Sequence, residues 1–265
     1  MRIWRFQCRS AITLLFLSWS LAATSLPSPE ELASASSSSA DPSARLPIEQ
    51  VVKNLQERNA ERAAALDQYE ATRVYRMRYR GFPSDRDAEM VVNTVYRAPN
   101  SKQFTIVSQT GSKFILEHIF NKLLEGELEA ANEENRRQTA LTTENYDFTL
   151  AGYEVAPDGG RYVLNLVPKT KNKFLYRGKI WVDANEFAVV RIKGEPGKNP
   201  SFWIKKTEVE HEYEKVGDFW LPAANHTESV IRLGGVAQLS IEYKNYRGLK
   251  TKSPQDSKKT VATQK

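Results

Sequence analysis

From Asn145 to Tyr246 apolar and polar residues alternate in short runs. Turn residues part the runs at Pro157-Asp158-Gly159-Gly160, at Pro168, from Asp183 to Asn185, from Gly194 to Pro200, at Gly217-Asp218 and at Gly234-Gly235. A spacing of about 10 to 17 residues suits antiparallel hairpins in one large curved sheet. Side chains alternate between the two faces of a strand, so parity assigns each residue to a side.

The stretch Arg177 to Gly194 illustrates the reading. Extended back to Phe174, one face carries Phe174, Tyr176, Gly178, Ile180 and Val182, and the other Leu175, Arg177, Lys179, Trp181 and Asp183. A regular turn over Asp183 to Glu186 adds Ala188, Val190 and Ile192 to the first face. It leaves Val189, Arg191 and Lys193 beside Trp181. Elsewhere Tyr162, Leu164 and Leu166 share a face. Val209, His211 and Tyr213 oppose four glutamates, and Leu239, Ile241 and Tyr243 oppose Gln238, Ser240, Glu242 and Lys244.

The preceding part mixes both periods. Pro47 suits a first helical turn, and Ile48, Val51, Val52, Leu55, Asn59, Ala63 and Leu66 follow the spacing of one helical face. The period then becomes two: Tyr69, Ala71, Tyr75, Met77 and Tyr79 share one face, and Glu70, Thr72, Arg76, Arg78 and Arg80 the other. Met90 to Tyr96 and Phe104 to Val107 read as further strands. A second helical stretch runs from about Glu117 to Arg137, with Ile119, Phe120, Leu123, Leu124, Leu128 and Ala131 on one side. Gly126 marks a point for a break, and the acidic run Glu125 to Glu134 reads as solvated.

A sheet this wide tends to curl. Two helices then have a broad apolar face to cover, and a hollow left between them suits a lipid or acyl chain; a plainly packed core is the alternative. The residues that parity turns toward such a cavity are Tyr75, Met77, Tyr162, Leu164, Phe174, Tyr176, Ile180, Val182, Val190 and Ile192. Trp181, Val189 and Trp203 are assigned to an outer, partner-facing surface.

The N-terminus reads differently. Met1 to Ser10 carries Arg2, Arg5 and Arg9 and no acid, Ala11 to Ala23 is an apolar run, and small residues close it. That pattern is expected of a secretory signal peptide over residues 1–23. The apolar run falls short of the roughly 20 residues that span a bilayer. Ser25 to Leu46 reads as a flexible spacer (24–46), residues 47–248 as a single domain, and 249–265 as a disordered basic tail. Three of the 38 basic residues lie in the leader, leaving 35 against 32 acids, a mixed charge unlike the concentrated basic face of a nucleic-acid binder. The single cysteine, Cys8, also lies in the leader. The expected mature chain has no disulfide, no thiolate metal site and no lipidated cysteine.

Motifs of catalysis are sparse. His118, His211 and His226 stand in no helical zinc pattern, and neither a Gly-x-Ser-x-Gly elbow nor a phosphate-binding glycine loop occurs. The expectation is no enzyme, no cofactor and no metal, although acids brought together by the fold are left open by sequence.

The order Tyr162-Val163-Leu164-Asn165-Leu166-Val167-Pro168, Ile180-Trp181-Val182-Asp183 and Gly217-Asp218-Phe219-Trp220-Leu221-Pro222 resembles the LolA/LolB/RseB-like superfamily of bacterial envelope proteins. The likeness covers most of residues 47–248. It implies an α+β fold: an open, strongly curved antiparallel sheet, an unclosed β-barrel of about 10–11 strands with helices over the concave face. It also implies a periplasmic carrier or receptor for lipoprotein acyl chains or another lipid. The alternative is a non-enzymatic envelope interaction or stress-sensor module with a filled core. Partners would be acyl chains and envelope proteins, with no nucleic acid and no stable membrane anchor. In LolA-type carriers an arginine of an early strand helps control opening; Arg73, Arg76, Arg78 and Arg80 all stand near that place. LolB-type receptors are lipid-anchored and RseB-type sensors carry a second domain, and this chain shows neither pattern.

Overall fold

The computed structural model describes residues 45–252, apart from Asp158, Pro200 and Leu233. The segment read as signal peptide, and most of the spacer and of the tail, lie outside the described residues.

Pro47 caps the first helix, α1 (Ile48–Ala65), which buries Val51, Val52 and Leu55. The chain passes without a loop into β1 (Leu66–Arg80), at the point where the apolar period changes from helical to alternating. β2 (Arg86–Arg97) and β3 (Ser101–Gly111) follow as hairpins. A wide π-helical turn (Ile115–Phe120) then runs into α2 (Asn121–Ala131) and α3 (Glu133–Thr139). The rest is strand: β4 (Tyr146–Ala156), β5 (Gly159–Pro168), β6 (Tyr176–Asp183), β7 (Val189–Pro196), β8 (Ile204–Val216), β9 (Phe219–Ile231) and β10 (Val236–Thr251).

All ten strands form one antiparallel sheet in the order β3-β2-β1-β10-β9-β8-β7-β6-β5-β4. The edge strands β3 and β4 do not pair with one another, so the sheet is open. This is the α+β open sheet expected, with ten strands. Gly178 and Gly194 face each other across β6 and β7, where the backbones stand too close for a side chain. A Cβ at Gly178 would stand 2.2 Å from the Lys193 carbonyl oxygen, and one at Gly194 would stand 2.1 Å from that of Arg177.

Several local readings change. The helical break falls at Asn132, not Gly126. Asn132 leaves helical backbone, and its side chain accepts from the Glu134 amide at 2.9 Å, starting α3. β10 extends to Thr251, three residues into the segment read as tail. Strand alternation does not reach back to Phe174, because a turn holds it: the Phe174 amide donates to Asn172 Oδ1 at 2.9 Å. Leu175 is the residue buried there. Val189 and Val190 exchange roles. Val182 pairs with Val189 and Trp181 with Arg191, so Val190 is the extra residue of a β-bulge and parity shifts by one. Val189 packs into the core, whereas Val190 is buried but joins no core cluster.

The core has three parts. Under α1, Leu164, Leu166, Leu175, Ile180, Val182 and Ile192 pack with Val51, Val52 and Leu55. Under the π-turn and α2, Tyr75, Met90, Val92 and Ile241 pack with Ile115, Phe120 and Leu124. A third cluster of Tyr69, Ala71, Phe219 and Leu221 fills the end where β8 turns into β9.

Candidate functional site

Register turns the inner face into rows that cross the strands. One row runs Leu164, Ile180, Ile192, His211, Asn225, Ile241, Tyr75 and Met90. The next, one pleat nearer the β7–β8 and β9–β10 turns, runs Gly178, Gly194, Val209, Thr227, Leu239, Met77, Ala88 and Gly111. Most members of the first row are large and buried. The second includes three glycines and an alanine, and its larger members Met77 and Leu239 are only partly buried. A cavity of about 720 Å³ lies along it, lined by Val209, Thr227, Leu239, Met77, Ala88 and Gly111 with flanking residues such as Arg76, Glu89 and Glu210. The helix-covered clusters take no fully buried residue from the middle of β8 or β9. A smaller hollow of about 570 Å³ lies between α1 and the edge strand β4.

Beside the second cluster, a charged group is buried under α2. Of the four early-strand arginines, Arg73 alone points inward; it is 2 % exposed, while Arg76, Arg78 and Arg80 face solvent. Its guanidinium is paired with the Glu127 carboxylate of α2. It also lies 5.0 Å from the Tyr243 ring centroid and 5.4 Å from that of Phe104. The Tyr75 hydroxyl donates to Glu127 Oε1 at 2.9 Å, and Lys102 Nζ of β3 lies 3.4 Å from Oε2. Burial works to raise the Glu127 pKa, but Arg73 and Lys102 outweigh it and hold the carboxyl below its usual range. Glu127 therefore stays ionised, and one carboxylate ties α2 to β1 and β3. The acidic run read as solvated thus contains a half-buried carboxylate turned onto the sheet. Its signal was present: Glu127 follows Phe120, Leu123 and Leu124 at the spacing of the apolar stripe.

The centre of the first row is polar. The Thr227 hydroxyl donates to Asn225 Oδ1 at 2.9 Å, and Asn225 Nδ2 lies 2.9 Å from His211 Nδ1. With Oδ1 already accepting, the amide nitrogen donates to Nδ1, which assigns the His211 proton to Nε2. Nε2 is buried and has no hydrogen-bond partner among the described residues. Burial pushes the imidazole down to about 4, so it is neutral at pH 7. Tyr176 packs edge-on to it, 5.1 Å between centroids.

The ten residues assigned to a cavity therefore separate. Met77 lines the large hollow. Tyr162, Leu164, Ile180, Val182 and Ile192 are packed beneath α1, and Tyr75 beneath the π-turn and α2. Tyr176 packs at the edge of the first cluster. Phe174 lies in a turn under the Lys173 ammonium, 4.7 Å from its ring centroid, and Val190 is the bulge residue. On the outer surface, Trp181 donates to Glu154 at 2.9 Å and lies under Arg191, whereas Val189 faces inward. Trp203 is exposed in the β7–β8 turn. Among the described residues no three His, Cys, Asp or Glu side chains gather to hold a metal ion, and no helix is long and apolar enough to cross a membrane.

The chain is similar to solved LolA-superfamily structures. A putative outer membrane lipoprotein-sorting protein domain from Vibrio parahaemolyticus is 14% identical, with 80% of this chain and 98% of that one covered and a TM-score of 0.37. A LolA superfamily protein from Nitrosomonas europaea is 14% identical over 78% of this chain and 96% of that one, with a TM-score of 0.35. A DUF1329 family protein from Desulfovibrio piger is 14% identical over 77% and 93%, with a TM-score of 0.38. No protein-family model and no curated protein matches the sequence.

Proposed function

We propose that this protein is a periplasmic carrier or receptor that binds an acyl chain of a lipid or lipoprotein along the small-residue row of its inner face. The observation that carries this reading is the cavity of about 720 Å³ over Met77, Leu239, Val209 and Thr227. Its size falls within the range of small-molecule sites, and Met77, Ala88, Val209 and Leu239 give it an apolar strip bordered by charged residues such as Arg76, Arg78, Glu89 and Glu210. Binding would be passive, at about 0.8 kcal/mol per buried methylene. The ion pair between Arg73 and Glu127 would act as a latch on α2, released when the chain enters. Stripped of bound lipid, the protein should take up a fluorescent fatty acid. Filling the hollow with Met77→Trp and Leu239→Trp should weaken uptake at least about tenfold while the melting temperature holds. Uptake that is absent, or indifferent to these changes, would overturn the reading.

The second reading is an envelope interaction module with a filled core. It draws on the close packing of Leu164, Ile180, Val182 and Ile192 under α1. A folded protein that binds no lipid would favour it.

A further inference from the structure

Three turns distant in sequence are tied into one rim at the end of the sheet nearest the hollow. In the β9–β10 turn the Arg232 amide donates to the Trp203 carbonyl at 2.8 Å, and Arg232 Nε donates to the Phe202 carbonyl at 2.6 Å. Its guanidinium carbon lies 5.1 Å from the Phe202 ring centroid. From the β1–β2 hairpin, the Tyr79 hydroxyl lies 2.6 Å from the Phe82 carbonyl and 3.0 Å from that of Gly234. The two turns touch so closely that a Cβ on Gly81 would stand 2.5 Å from the Gly235 Cα. These bonds hold the backbone of the rim while leaving its rings outside. Phe82 is 77%, Phe202 74% and Trp203 55% exposed.

Single exposed apolar residues are ordinary, but several aromatics fixed together on turns are not. The charge around them has one bias. Arg232, Lys198 and Lys205 are exposed and have no acidic partner among the described residues, whereas Asp85 of the β1–β2 turn and Asp87 and Glu195 at the adjoining strand ends are each within 4.0 Å of a basic side chain. Aromatic rings that project without a groove, beside cations that have no acidic partner, match the interfacial zone of an anionic bilayer: rings enter the headgroup layer and cations meet the phosphates. A protein partner would more commonly be met by a pocket or groove that seats its own anchors.

We infer that the rim of Phe82, Phe202 and Trp203, with Arg232, Lys198 and Lys205, is a peripheral docking surface for an anionic lipid bilayer. It places the open end of the hollow against the membrane, and it stands whether or not the hollow carries a lipid.

The test is local to Trp203 and uses the full chain. Tryptophan fluorescence is recorded with vesicles of phosphatidylcholine, with and without phosphatidylglycerol, that contain brominated acyl chains. Subtracting the Trp203→Phe variant isolates the Trp203 signal from the other tryptophans and from any membrane contact made by residues 1–23. Trp203 should be quenched, more strongly with phosphatidylglycerol and less at high salt. Phe82→Ser with Phe202→Ser should reduce the vesicle affinity read at Trp203 at least about tenfold, or about 1.4 kcal/mol. Arg232→Glu with Lys205→Glu should remove the preference for phosphatidylglycerol. An unquenched Trp203 signal from folded protein overturns the inference and leaves the rim to a protein partner. Quenching that ignores all four substitutions overturns it as well.

Discussion

The two halves of the inner face solve the same covering problem differently. Beneath α1, β5 to β7 present Leu164, Ile180, Val182 and Ile192, and the helix packs against them through Val51, Val52 and Leu55. Beneath α2, β1 presents Arg73 among its aromatics, and the helix is held partly by the Glu127 carboxylate. An apolar seam is hard to reopen, because separation exposes area at about 25 cal/mol per Å². A buried ion pair contributes little net stability, because desolvation offsets much of its attraction, yet it specifies one arrangement. The α1 half therefore reads as the scaffold and the α2 half as the part able to move, and the hollow lies off the scaffold, along the small-residue row.

The largest expected contrast tests that division. Ile180→Ala, in the packed half, should cost about 4 kcal/mol in urea unfolding. Leu239→Ala, beside the hollow, should cost about 1 kcal/mol because part of its side chain already lacks contacts. Equal costs would mean that the hollow is closed in solution. Glu127→Gln leaves Arg73 buried without its counter-charge and should cost about 3 kcal/mol. Amide exchange should rise through α2 before it rises through α1. A uniform rise across both helices would remove α2 as the mobile element.

A further contrast concerns acid. His211 is pushed down to about 4 from 6.5 by burial, so the unfolded chain takes up its proton first as pH falls. Stability should therefore decline as pH falls from about 6.5 to about 4, and be level above that window so far as this group is concerned. His211→Phe should flatten the decline. A slope unchanged by the substitution would assign it to other groups.

Much of this architecture follows from local chemistry. Alternation places Tyr162, Leu164, Ile180 and Ile192 on one face because a strand has period two, and the Pro47 start and 3.6-residue stripe specify α1. Glu127 shows a finer limit. Its position on the apolar stripe of α2 can be read from spacing, but its partner stands 54 residues away and is found only when β1 passes beneath the helix. Parity also failed at Val189 and Val190, because a bulge inserts one residue that no composition rule announces.

By itself, then, the sequence determined most of the elements, most of their inner and outer faces, and the tendency of a sheet of this width to curl. The tertiary structure decided which residues stand side by side across strands. Gly178, Gly194, Val209, Thr227, Leu239, Met77, Ala88 and Gly111 are scattered from residue 77 to 239 and become one row only through register. Alternation acts within a strand, whereas a hollow is a property of neighbours between strands, and hydrogen-bond pairing alone chooses those neighbours.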